Sequence, residues 1–283
     1  MQNIKLTECP RDAMQGIKQF IPTEVKASYL NALLKVGFDM LDFGSFVSPK
    51  AIPQMQDTKE VIPLLELDNT STKLLAIVAN ERGATEAVQF DEVSFIGYPF
   101  SISPTFLKRN INSTIDEAFS TTMGLKKISE KARKELVVYI SMAFGNPYND
   151  DWNAEILIRW VEKLHRSGIQ LISLADTVGI ASGNTLGKCY GTCKQEFPGV
   201  EFGLHLHSKL DGVKDKLFAS YKNGCRRFDS VLDGLGGCPM AGTDLVGNID
   251  THSLIEFFSE IKEVLNLDMN ALKNAKLKAP GYF

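Results

Sequence analysis

The chain has 283 residues, 44% hydrophobic and 23% charged, which suits one large domain or two small ones with a sizeable core. A net charge of −3 gives no electrostatic case for nucleic acid as a partner. No run of about 18 apolar residues exists, so no membrane span is expected. The sequence also shows no signal peptide, no Arg-rich transit segment and no peroxisomal C-terminus, and we expect a cytoplasmic protein. Its cysteines, at Cys9, Cys189, Cys193, Cys225 and Cys238, lack paired zinc spacing and read as reduced thiols.

From the N-terminus onward, short apolar or β-branched runs alternate with longer helical segments. Ile4–Cys9 runs into Pro10-Arg11-Asp12. Thr23–Val36 follows with Val25, Tyr29, Leu30, Leu33 and Leu34 near a 3.6 period. Phe38–Phe43, Lys73–Val78, Glu92–Ile96 and Leu136–Ser141 are the next strand signals. Trp152–Arg166 is helical, with Gly168 as its stop. Gln170–Leu174 ends in Ala175-Asp176-Thr177, Glu201–Leu206 in His207-Ser208, and Arg226–Val231 leads to Gly236-Gly237-Cys238-Pro239. Leu254–Leu265 reads as a further helix.

Strand–helix alternation implies a parallel sheet, and units roughly thirty residues apart favour an α/β fold closed as a (β/α)8 TIM barrel. The runner-up, a doubly wound open sheet, usually carries a Gly-rich phosphate loop after strand one, where this chain has Glu8-Cys9-Pro10-Arg11-Asp12. We expect one catalytic domain over residues 1–283, with about 250–283 packing as extra helices.

In such a barrel the active site lies at the C-terminal ends of the strands. His205 and His207, two apart, project to one face about 7 Å apart at the backbone and can converge on a metal. The plainer alternative is two buried histidines bonded to neighbours. Asp12 offers a hard oxygen or a helix N-cap, and donor softness leaves Mg, Mn, Fe and Zn open. Arg11 beside it suits a carboxylate, phosphate or oxyanion, or a salt bridge in the rim. Cys238 follows a Gly-rich stretch that can move a thiol into a site, but taken alone it reads as an incidental loop cysteine. Cys189 and Cys193, four apart, read as small buried residues on one helix face, and His165 and His252 as surface or rim residues.

Together these segments resemble the hydroxymethylglutaryl-CoA lyase family. The resemblance rests on Glu8-Cys9-Pro10-Arg11-Asp12-Ala13-Met14-Gln15 and on Ser45-Phe46-Val47-Ser48-Pro49-Lys50 with Ile52-Pro53-Gln54-Met55. It rests also on Asn110–Ile115, Gly145-Asn146-Pro147-Tyr148, Ser173–Gly179, and Gly236-Gly237-Cys238-Pro239 with Gly247-Asn248. It implies that Asp12, His205, His207 and Asn248 bind a divalent cation, Mg2+ or Mn2+. Arg11 is implied to bind substrate and steady an enolate, with Gln15 and Ser45 also at the substrate, and Cys238 is implied as the catalytic thiol. Asp42 falls where the family has Glu, and Asp176 where it has an active-site Asp. A base beside the cation, His205 or Asp42, is expected to take the hydroxyl proton.

The implied activity is cleavage of 3-hydroxy-3-methylglutaryl-CoA to acetyl-CoA and acetoacetate, by a homo-oligomer, a dimer by expectation, acting on an acyl-CoA. The alternatives are a related enzyme condensing acetyl-CoA with a 2-oxo acid, an aldolase of the same barrel, or a non-catalytic metal- or CoA-binding barrel. The chain departs from the family at Ser208-Lys209-Leu210-Asp211, at Met240, at the longer Thr243-Asp244-Leu245 loop and at Asp42, changes expected to bear on lid contacts and acyl preference rather than on metal binding.

Overall fold

The computed structural model describes residues 3–237 and 246–280. Among these, β1 (Lys5–Glu8), β2 (Met40–Ser45), β3 (Lys73–Ile77), β4 (Val93–Ser101), β5 (Glu135–Ser141), β6 (Leu171–Asp176), β7 (Glu201–Leu206) and β8 (Arg227–Ser230) close in sequence order into a parallel barrel. β1 pairs with β8 from Lys5↔Arg227 to Glu8↔Ser230, so no strand edge is left open. This is the expected (β/α)8 barrel. No helix among the described residues is long and apolar enough to cross a membrane.

The helices begin where the side chains dictate. Asn80, Ser103, Asn153, Ser182 and Asp250 each accept a hydrogen bond from a backbone N–H of the first turn they cap. Thr114 and Glu117 form a reciprocal capping box at the start of helix Ile115–Lys131. Asp12 is not a cap: it lies inside the short helix Pro10–Gln15, whose N-cap is Cys9.

Two boundaries differ most from the expectation. β4 continues past Ile96 to Ser101, pairing with β5 from Phe95↔Glu135 to Ser101↔Ser141. Gly97 reads as a breaker in the sequence, but a Cβ there would meet Ile77 Cδ1 at 2.5 Å and Tyr139 Cε2 at 3.2 Å, so glycine fits the crowded barrel interior without displacing the Ile77 side chain. The helix expected over Leu254–Leu265 instead runs Thr251–Glu260, and a separate helix, Met269–Lys278, follows and packs on helix Thr23–Leu34. Cys189 and Cys193 are buried core residues on helix Gly183–Glu196.

The barrel interior is divided. On the β2–β5 side Met40, Leu75, Ile77, Val137 and Tyr139 form an apolar cluster. The other side is polar. Asp229 on β8 is in register with both Thr7 and His205. Arg227, two residues earlier on the same face, lies over Gly203, where a Cβ would meet its Nε at 2.6 Å. The apolar half packs the barrel, and the polar half carries charge towards its C-terminal mouth.

Candidate active site

The first helical turn after β1 delivers Arg11 and Asp12 to the mouth, both buried. Arg11 Nε donates to both oxygens of Asp42, at 3.2 and 3.1 Å, and Nη2 donates to Asp42 Oδ2 at 2.5 Å. Its Nη1 donates to Asp12 Oδ1 at 3.2 Å and to Gln15 Oε1 at 2.8 Å. Of the five guanidinium hydrogens, these bonds leave one on Nη2. A register shift between β2 and β3 at Asp42/Gly44 places the Asp42 carboxylate beside that fork. Burial opposes the charge on Arg11, but Asp42 and Asp12 outweigh it and hold the group above its ordinary value. Burial pushes Asp42 up to about 6, against the pull of Arg11.

Asp12 is the hub. Its Oδ1 also accepts from Gln15 Nε2 at 2.6 Å, and its Oδ2 accepts from Asn248 Nδ2 at 2.6 Å. Burial works against its charge, yet Arg11, the two histidines and the Asn248 N–H keep its carboxyl below the usual carboxylate value. A ligand atom each from Asp12, His205 and His207 lie within 4.8 Å of one another. His207 Nδ1 donates to Val246 O at 2.8 Å, an atom that can only accept. His205 Nδ1 is held by Asp229 Oδ2 at 3.1 Å. In both rings the Nε2 lone pair is therefore left for a cation. Asn248 bridges to His207 in an antiparallel β-bridge, and its amide nitrogen is engaged with Asp12 and with Leu235 O at 2.8 Å, so its oxygen is the end left for a cation. Two nitrogens, a carboxylate and an amide oxygen are a donor set that fits a divalent ion.

Burial opposes a charge on His205, but Asp229 and Asp12 lift it above its ordinary value. Burial and the neighbouring His205 push His207 down to about 4.

The cluster forms one wall of a cavity of about 430 Å3 at the mouth, with Val47, Ile52, Ile77 and Phe106 on its apolar side. Arg11, Asp12, Gln15, Asp42, His205 and His207 all line it. Asp176 stands apart. Ala175 and Thr177 line the cavity, so by strand alternation Asp176 points the other way; its carboxylate accepts from Lys216 Nζ at 2.6 Å and from the Ala181 N–H. Ser45 is buried, with its hydroxyl accepting from the Val47 N–H at 3.1 Å, and it is absent from the lining. Cys238 lies outside the described residues.

Two residues escaped the sequence reading. Asp229 orients His205, and its signal was a pair of charges, Arg227 and Asp229, at strand spacing in a segment that had to face the barrel. Tyr139 lines the cavity edge-on to His205, with ring centroids 5.9 Å apart, and its buried hydroxyl finds no hydrogen-bond partner among the described residues. It alternates with Val138 and Ile140 along an apolar strand and looked like core.

The family model described as HMGL-like matches residues 4–276. The chain is 29% identical over 268 residues to the hydroxymethylglutaryl-CoA lyase YngG of Bacillus subtilis, covering 94% of this chain and 88% of that one. An HMG-CoA lyase from Acenitobacter baumannii, solved in complex with coenzyme A and 3-methylmalate, superposes with a TM-score of 0.90 at 28% identity, covering 99% of this chain and 91% of that one. The HMG-CoA lyase of Brucella melitensis gives a TM-score of 0.89 at 27% identity, with 98% of each chain covered.

Proposed function

The chain belongs to the HMGL-like family, and from that premise we propose that it is a carbon–carbon lyase that cleaves 3-hydroxy-3-methylglutaryl-CoA to acetyl-CoA and acetoacetate. One observation carries the reading: Asp12, His205 and His207 converge within 4.8 Å beside a buried Arg11 at the mouth of the barrel. Asp12, His205, His207 and Asn248 would hold a divalent cation, Mg2+ or Mn2+, which when bound supplies Lewis acidity to the substrate's tertiary hydroxyl.

The chain's own groups divide the remaining work. His205 has Nδ1 on Asp229 and Nε2 assigned to the cation, so no lone pair is left for it to act as base. Asp42, raised to about 6, takes the hydroxyl proton near neutral pH. The C3–O bond becomes the ketone of acetoacetate as the C2–C3 bond breaks, and its electron pair passes to C2 as the thioester enolate. The remaining Nη2 hydrogen of Arg11 is positioned by Asp42 to meet the enolate oxygen. Gln15 fixes the other side of the same guanidinium at 2.8 Å. Cys238, assigned by resemblance alone, returns a proton to C2. Asp176 acts from behind the wall through Lys216 rather than on substrate.

Acetoacetate release in a coupled assay tests this. Activity should vanish with EDTA and return with added Mg2+ or Mn2+. Arg11→Lys keeps the charge but loses the fork, and kcat should fall about 100- to 1,000-fold with the fold intact. Undiminished activity after thorough chelation, or condensation of acetyl-CoA with a 2-oxo acid in place of cleavage, would overturn the reading.

A further inference from the structure

Behind the wall that carries His207 lies a buried ammonium with no direct contact to the cavity. Lys216, on helix Val213–Lys222, is 4% exposed and does not line the cavity. Its Nζ donates to Asp176 Oδ2 at 2.6 Å, to His207 O at 2.8 Å and to Gly179 O at 3.0 Å. An ammonium has three hydrogens, and here each has an acceptor on a different segment: the end of β6, the loop after it, and the end of β7. None remains for a substrate.

We propose that Lys216 is a positioning residue for the cation site, fixing His207 by tying its carbonyl to the end of β6. The inference rests on the metal-dependent reading above. The argument is geometric. The His207 ring is held at Nδ1 by Val246 O, but where its Nε2 falls relative to Asp12 depends on where the backbone sits. That backbone lies just past the end of β7, and the bond to its carbonyl comes from Lys216, which does not line the cavity that His207 lines. Asp176, bonded also by the Ala181 N–H, anchors the ammonium to the neighbouring strand. A buried ion pair by itself is weak support for stability, so a pair whose cation also grips a ligand residue points to placement. Outer partners of metal ligands commonly set affinity by about 10- to 100-fold.

Lys216→Met alone strands the buried Asp176 carboxylate and should lower the melting temperature. Lys216→Met combined with Asp176→Asn removes both charges and should recover most of that loss. The bond to His207 O stays broken, so Mn2+ should bind about tenfold more weakly than to the parent protein, measured by electron paramagnetic resonance without substrate. A folded double variant with parental Mn2+ affinity overturns the proposal. A second measurement needs no variant. Linkage is reciprocal, so Mn2+ should slow amide exchange in Val213–Lys222 more than in helix Ile115–Lys131, which packs on β4 and β5. Equal slowing in both overturns the proposal even where neither variant folds. A parent protein that binds no Mn2+ removes the cation site itself, whereas a parent that binds and a variant that binds equally removes only the role of Lys216.

Discussion

Asp229 shows how a residue outside the cavity lining governs one that lines it. It is buried, in register with His205 on the next strand, and its Oδ2 takes the Nδ1 side of that ring at 3.1 Å. A carboxylate there fixes the tautomer and makes Nε2 a stronger donor. Asp229→Asn keeps the shape and an acceptor oxygen but loses the charge. Mn2+ affinity should fall about 10- to 100-fold, with the melting temperature little changed; a Mn2+ titration matching the parent would remove the role. The sequence showed Arg11, Asp12, His205 and His207 because they sit together in short polar breaks at strand ends. It hid Asp229 and Tyr139 because each lies inside a strand, where a polar residue announces itself only through its phase. Phase explains Asp176 as well. Position in the chain put it at the mouth, but it falls between the cavity-lining Ala175 and Thr177 and so turns outward to Lys216.

Just after β8, Gly236 lies close against the residues of the proposed cation site. Gly236 adopts φ +88°, and a Cβ there would meet Asp12 O at 2.8 Å and Asn248 Nδ2 at 3.0 Å. Both neighbours belong to residues assigned to the cation, and Leu235 O accepts from the same Asn248 amide. Gly236→Ala should therefore act twice: strain at positive φ and crowding destabilise by about 1–3 kcal/mol, and displacement of Asp12 or Asn248 weakens Mn2+ binding. Thermal melting and Mn2+ titration read the two separately. An alanine variant with both values parental would show that this close approach imposes nothing. At this scale the eight strands were legible from their apolar runs, and their ends were not. β4 looked finished at Ile96 because Gly97 and Pro99 follow, yet Gly97 is there because Ile77, Leu75 and Tyr139 fill the space a Cβ needs. Packing inside a barrel overrides a local breaker, and packing is not written in a single strand.

The closure of the whole barrel brings together residues from both ends of the chain. Glu8, at the end of β1, accepts from the Leu232 N–H at 2.7 Å and from Thr251 Oγ1 at 2.6 Å, with Ser230 Oγ at 3.5 Å. It thereby joins the first strand to the last and to the helix that follows. Burial, opposed by those three bonds, raises its pKa from 4.5 to about 8. The folded state thus favours the protonated acid. The stability this contributes is fully present below 4.5 and is lost as pH rises towards about 8. Glu8→Gln holds the neutral form at every pH. Its oxygen can still accept from Leu232, and the Thr251 hydroxyl can turn to accept from the new amide while donating to Ser230, 3.0 Å away. Urea midpoints for the two proteins should run together at low pH and separate from about pH 5 upward, with the wild type falling relative to the variant until about pH 8 to 9. Other groups titrate across this range, Asp42 among them, but they are common to both proteins, so the difference between the curves isolates Glu8. Parallel curves from pH 5 to 9 would mean that the carboxylate is as well placed in the seam as the acid. In that case the three donors, rather than burial, would decide its charge.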